Sequence, residues 1–233
     1  MSHSETIKAL ETLNREIVTC ERCPRLREYC HKIAAKKKPE FSDWEYWGRP
    51  VPGFGDPRAR VWIVGLAPAA HGANRTGRMF TGDKSGEWLF GALHRAGFAN
   101  QAQSVSTHDG LKLAGVYISA AARCAPPDNK PAPEELRNCR AFLRREFGLF
   151  TRVKLFIALG AIGFKTTLDL LADVGAGVVT PRPVFKHGAL YAVGERKILV
   201  SYHPSRQNTQ TGLLTPEMWQ KIFERAFKIS SRG

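Results

Sequence analysis

The sequence predicts an α/β fold with a mostly parallel central sheet covered by helices on both faces, and three observations predict it. Short apolar runs, Val61-Trp-Ile-Val64 and Leu155-Phe-Ile-Ala-Leu159, read as buried strands. They alternate with stretches of helical periodicity, the pattern of a parallel sheet. Polar segments follow the ends of three strands, near Gly65, Ala120 and Ser201, so one edge of the sheet gathers the chemistry.

Each element has its own signal. Ile7, Leu10 and Ile17 share one face between about Glu5 and Thr19, which predicts an amphipathic helix ending at Cys20-Glu-Arg-Cys23 and passing into a loop at Pro24. Lys36-Lys-Lys38 reads as a solvated face. Phe41, Trp44, Tyr46 and Trp47 read as closing an edge of the core. After the first strand comes a long glycine-bearing loop, and then Ser85 as the cap of a helix to about Gly97. Val116-Tyr-Ile118 is a second strand. Pro133-Glu-Glu135 opens a helix carrying Leu136, Cys139, Leu143 and Phe147. Leu155–Leu159 leads into a helix over Ala161–Leu171. Ala189–Val193 and Lys197–Val200 form a strand pair, and Thr215-Pro-Glu217 starts a last helix to about Lys228. One domain over residues 1–233, with an N-terminal helix and a cysteine-bearing segment, is the expected organisation.

Composition narrows the function. The 35 Lys and Arg against 21 acids give a net charge of +14, the footprint of a nucleic-acid binder, although acidic partners and anionic lipid also attract such a chain. No apolar run approaches the length of a membrane span and the N-terminus is polar, so a soluble, cytoplasmic protein is expected. Five cysteines, an odd number without an export signal, favour metal ligation over disulfides. Cys20-x2-Cys23 supplies half of a four-thiolate set and Cys124 with Cys139 the other half. Zinc and an iron–sulfur cluster both suit such a set, and Cys30 is left over.

The central stretch is Gly65-Leu-Ala-Pro-Ala-Ala-His-Gly-Ala-Asn-Arg-Thr-Gly-Arg-Met-Phe-Thr-Gly-Asp83. It carries neither a Walker loop nor Gly-x-Gly-x-x-Gly. Its length and its His, Asn, Arg, Phe and Asp content mark it as a site rather than a plain connection. Two rival classes fit the charge and the cysteines: a non-catalytic nucleic-acid binder stapled by zinc or iron–sulfur, and a thiol redox protein using Cys20 and Cys23. Neither accounts for the loops around Phe80, Asp83 and His203.

This stretch, with His203-Pro-Ser-Arg-Gln-Asn-Thr-Gln-Thr-Gly212 and the cysteine spacing, resembles the uracil-DNA glycosylase superfamily, above all its type 5 branch. The resemblance runs from about Cys20 to the C-terminal helix. It implies a uracil-DNA glycosylase-like α/β/α sandwich and a [4Fe–4S] cluster on Cys20, Cys23, Cys124 and Cys139. It also implies base-excision repair of DNA by a monofunctional glycosylase, a monomer acting on uracil- or hypoxanthine-containing duplex. Two departures stand out. Leu66 and Ala69 occupy places where many members hold a water-positioning polar residue. Ala120 stands where iron–sulfur type 4 relatives place a base-reading Asn, which implies a broader substrate range.

On that reading Phe80 stacks the flipped base, and Ala67, His71, Asn74 and Asn129 line its pocket. His203 donates, while neutral, to a base carbonyl on which charge grows. Asp83 orients water or offsets the sugar cation, with a helix cap as its alternative role. Arg75 and Arg78 anchor phosphates, and Ser205, Arg206, Gln207 and Asn208 enter or contact the duplex.

Overall fold

The computed structural model describes residues 2–231. In chain order it comprises α1 (His3–Val18), α2 (Pro24–Lys36), β1 (Phe54–Gly55), β2 (Val61–Gly65), α3 (Ala73–Thr76), α4 (Lys84–Arg95), β3 (Val116–Ala120), α5 (Pro133–Leu149), β4 (Leu155–Leu159), α6 (Gly160–Asp173), β5 (Leu190–Val193), β6 (Arg196–Ser201), α7 (Arg206–Gln210) and α8 (Pro216–Ser231). The six strands form one sheet in the order β1-β3-β2-β4-β6-β5. β3, β2, β4 and β6 are parallel, while β1 and β5 close the edges antiparallel.

Every residue of β2, β3 and β4 is buried, as strands covered on both faces require. Alternation divides their side chains between two cores. Val61, Ile63, Leu155, Ile157 and Leu199 pack with Leu89, Phe90 and Leu93 of α4 and with Trp219, Ile222 and Phe223 of α8. Trp62, Val64, Phe156, Ala158, Ile198 and Val200 pack on the other face with Leu143 of α5 and Phe164, Leu170 and Leu171 of α6. The result is the expected α/β/α sandwich. α1 lies on α5 through Leu13, Ile17 and Phe142, and adds Leu10 to the second core. Its first turn is closed by a capping box: Ser2 N–H donates to Glu5 and Glu5 N–H to Ser2 Oγ.

The structure differs from the sequence reading at the junctions. Pro24 opens α2 rather than a loop, since a proline at the first helical position gives up an N–H that has no helical partner anyway. Cys20 and Cys23 therefore bracket a tight turn between two helices. The cap of α4 is Asp83, whose Oδ1 accepts from Gly86 N–H at 2.9 Å, and not Ser85. Among the described residues no helix is long and apolar enough to cross a membrane.

Candidate active site at the carboxyl edge of the sheet

The chain leaves β2 towards β3 on one side and leaves β4 towards β6 on the other. The adjacent ends of β2 and β4 are thus a topological switch point, where an open α/β sheet forms a crevice. Gly65 ends β2 beside Ala120, and Leu159 ends β4 beside Ser201. Pairing continues past the strands, with Ala121 and Ala122 N–H donating to the Gly65 and Leu66 carbonyls, both at 3.0 Å. Half-buried Ala67 is held next to that ladder.

Phe80 is brought to the same place by an unusual backbone. Its φ is +55°, a left-handed value that a bulky residue adopts only when its surroundings hold it there. Two glycines do so. A Cβ on Gly65 would lie 2.8 Å from the Phe80 ring, and one on Gly86 would lie 1.8 Å from the Phe80 carbonyl oxygen. The ring is thereby pressed onto the end of β2, and its backbone onto the first turn of α4. Backbone strain of this kind clusters at functional sites, which makes Phe80 a candidate.

His203 stacks alongside, its ring centroid 5.9 Å from that of Phe80 at an interplanar angle of 29°. Burial pushes its imidazole down to about 4, and no hydrogen bond to another described residue acts on it. The ring is therefore neutral near pH 7. Its loop is braced from two sides: Asn208 Nδ2 donates to the His203 carbonyl at 2.8 Å and Ser85 Oγ to the Pro204 carbonyl at 3.0 Å. The second bond ties the start of α4, and so Asp83, to the His203 loop. Burial pushes the Asp83 carboxyl up, against the Gly86 and Ser85 N–H groups and Arg75, which pull it down. α6 begins at Gly160, directly after β4, with no side-chain cap. Its positive end consequently lies beside His203, to which a Cβ on Gly160 would be in ordinary contact at 3.4 Å.

Several expected positions are placed otherwise. Arg75 and Arg78 are each only 4% exposed and cannot anchor phosphates. The Arg75 guanidinium lies between Phe41 and Trp44, 3.8 and 4.1 Å from their ring centroids, and donates to the His71 and Gly82 carbonyls. Arg78 donates to Asp109 at 2.5 Å, to Ser104 and to Thr81, lashing the loop around Asp109 to the central stretch. Asn74 is fully buried, and its amide donates to the Cys30 and Ala70 carbonyls. Asn208 spends its amide on His203, and Ser205 caps α7, which leaves Arg206 and Gln207 exposed for the duplex. His71 is half-buried with Nδ1 3.0 Å from Tyr46 Oη. Asn129 is exposed on a turn at φ +56°. The Ser85 tie was hidden because serine there equally suits a cap; the α6 terminus gave no signal beyond Gly160.

The four cysteines expected as ligands come from three segments, and Cys30 lies on α2. Cys20 packs with Phe142, one turn beyond Cys139 on α5, while Cys23 packs with Cys124, Cys30 and Leu26. Asn138 Nδ2 lies 3.4 Å from Cys23 Sγ. Burial raises the Cys23 thiol and pushes Cys139 up to about 11. Cys20 raises both further, and Cys23 also raises Cys139. The Cys124 thiol is raised by Cys30, by burial and by Cys139. Among the described residues no three such donors meet closely enough to hold one bare ion.

The comparisons agree with this geometry. The model of the "Uracil DNA glycosylase superfamily" matches residues 52–227. A type-5 uracil-DNA glycosylase of Thermus thermophilus is 47% identical over 221 residues, covering 94% of this chain and 98% of its own. One from Mycobacterium tuberculosis is 47% identical over 220 residues, covering 94% and 81%. A type-4 uracil-DNA glycosylase of Pyrobaculum aerophilum is 27% identical over 197 residues, covering 84% and 83%. By these matches over most of its length, this chain belongs to the uracil DNA glycosylase superfamily, in its type-5 branch.

Proposed function

We propose that the chain excises uracil from DNA, and with it other deaminated bases such as hypoxanthine. In this reading it acts as a monomer inside the cell and holds a [4Fe–4S] cluster on Cys20, Cys23, Cys124 and Cys139. Membership of the superfamily makes it a DNA-repair glycosylase, a monofunctional hydrolase of N-glycosyl bonds. The observation that carries the mechanism is the pairing of Phe80 with a neutral, unengaged His203 at the sheet edge.

A base must leave the duplex to reach this crevice, at a few kcal/mol, least for mispaired bases such as uracil opposite guanine. Phe80 offers a face worth about 1–3 kcal/mol in stacking. As the glycosidic bond breaks, its electron pair departs with the base and the sugar becomes oxocarbenium-like. His203 donates a hydrogen bond to the base carbonyl on which negative charge grows, and the positive end of α6 favours the same charge. Water then adds to the sugar carbon and loses a proton. Leu66 and Ala69 cannot direct that water, so Asp83, tethered at the start of α4, takes this role or offsets the sugar cation. With Ala120 at the end of β3 in place of a base-reading amide, discrimination between bases relaxes, which supports hypoxanthine as a second substrate.

The cysteine arrangement supports the cluster. Cys20 and Cys23 lie near enough to act on the Cys139 thiol, and Cys139 on Cys124, so the four thiols share one region, where the resemblance favours a four-iron cluster over one zinc. When bound, the cluster supplies a staple joining these elements. The test is cleavage of labelled duplexes carrying uracil·guanine, hypoxanthine·thymine or thymine·guanine, followed by alkaline strand scission, with iron analysis of the same preparation. Scission at uracil and hypoxanthine by a brown, iron-loaded protein supports the whole reading. Scission at uracil alone removes the broad range, and zinc in place of iron removes the cluster.

A further inference from the structure

Among the described residues the most deeply buried cation is Arg123, 1% exposed, on the loop after β3 and next to Cys124. A guanidinium carries five N–H donors. One nitrogen, Nη2, donates to Glu146, whose other oxygen accepts from Tyr117 Oη at 2.7 Å. Nε and Nη1 are buried without any partner among the described residues. Such donors in a native interior need an acceptor. The contrast with Arg27 is informative. That buried guanidinium is engaged through all three nitrogens, to Glu21, the Gly48 carbonyl and His31.

α5 carries both the partner of Arg123 and a cysteine that the Arg123 main chain contacts. Cys139 and Glu146, seven residues apart, share one face of this helix. Arg123 grips Glu146 further along α5, and its charge acts on the Cys139 thiol. We propose that Arg123 is a positioning residue of the cluster site, its Nε and Nη1 donating to sulfur of the cluster at Cys139, with Glu146 and Tyr117 fixing the guanidinium. This rests on the [4Fe–4S] reading above. Hydrogen bonds and positive charge at cluster sulfurs favour the reduced, more negative state, so they raise the reduction potential. They also hold the thiolates ionised, which slows metal loss.

The test begins with iron content and the visible spectrum of the whole protein. A chain that carries no iron overturns both the cluster reading and this proposal. With the cluster present, Arg123→Met/Glu146→Gln removes the guanidinium without stranding a buried carboxylate. Reduction potential and the rate of iron release to a chelator are then compared with the parent. The expected result is about tenfold less reduced cluster at a given potential, a shift of about 59 mV for one electron, with about tenfold faster release. Tyr117→Phe, which removes one brace of Glu146 but keeps its pair with Arg123, moves the potential in the same direction by less than the double variant does. An unchanged potential and release rate in the double variant overturn the proposal while leaving the cluster intact. Should the double variant not fold, pulsed electron paramagnetic resonance of the reduced parent protein, labelled with guanidino-15N arginine, decides. Coupling of a guanidinium nitrogen to the cluster spin is expected, and its absence overturns the proposal.

Discussion

At the scale of single residues, charge misleads where burial is unseen. Arg75 and Arg78 lie in a polar, glycine-bearing stretch and read as phosphate anchors, yet both are internal struts. Sequence gives the sign of a side chain but not the partner waiting for it. For Arg78 that partner is Asp109. Burial raises the Asp109 carboxyl, but Arg78 and the Leu111, Val105 and Ser106 N–H groups bring it down to about 2. A carboxyl depressed below its unfolded value stabilises the fold above that value, about 3.9, and loses this as pH falls through about 2. Arg78→Ala leaves Asp109 unpaired and is expected to cost about 3–5 kcal/mol in urea unfolding; a change under about 1 kcal/mol would contradict the strut. His203 was legible as a donor, but its protonation state was not. Because burial holds it to about 4, the single-turnover rate is expected to pass through the ordinary histidine range, about pH 6.5, without an inflection due to this residue. Protonation of His203 itself lowers the rate near about 4. An inflection near 6.5 that disappears in His203→Ala would show a ring that titrates normally.

At the scale of elements, the strands were readable because their buried runs have no other use, and α5 and α8 because each opens on proline and acid. α2 was missed: its first residue is proline, its second is arginine, and its buried face offers only Leu26, Arg27 and Cys30. α3 and α7 are too short for periodicity to register. The start of α4 is the instructive junction, since Asp83 was read both as cap and as chemistry, and the structure shows the cap. Capping and catalysis can be separated. Asn caps about as well as Asp, whereas Ala costs about 1 kcal/mol. Asp83→Asn is therefore expected to keep the melting temperature but slow cleavage at least tenfold, and Asp83→Ala to lose both. Equal cleavage by Asp83→Asn and the parent would leave Asp83 a cap alone.

At the scale of the molecule, the parallel sheet and the single chemical edge followed from the alternation of elements. The strand order did not, because pairing of β2 with both β3 and β4 depends on how α4, α5 and α6 cross over the sheet. That order creates the switch point and brings Phe80, His203 and the start of α6 together from distant parts of the chain. The net charge of +14 acts at this scale too. Affinity for duplex is expected to fall steeply with salt, the logarithmic slope being about −0.9 per phosphate contacted; a slope near zero would deny a phosphate-tracking surface. The central claim is that this edge releases a flipped base with His203 as donor. Its most direct test is chromatographic detection of free uracil from a uracil·guanine duplex in single turnover, for the parent and His203→Ala side by side. Free base is expected from the parent and a rate about 10²–10³-fold lower in the variant, with duplex affinity retained. No free base from the parent despite tight binding, or equal rates in both proteins, would contradict it.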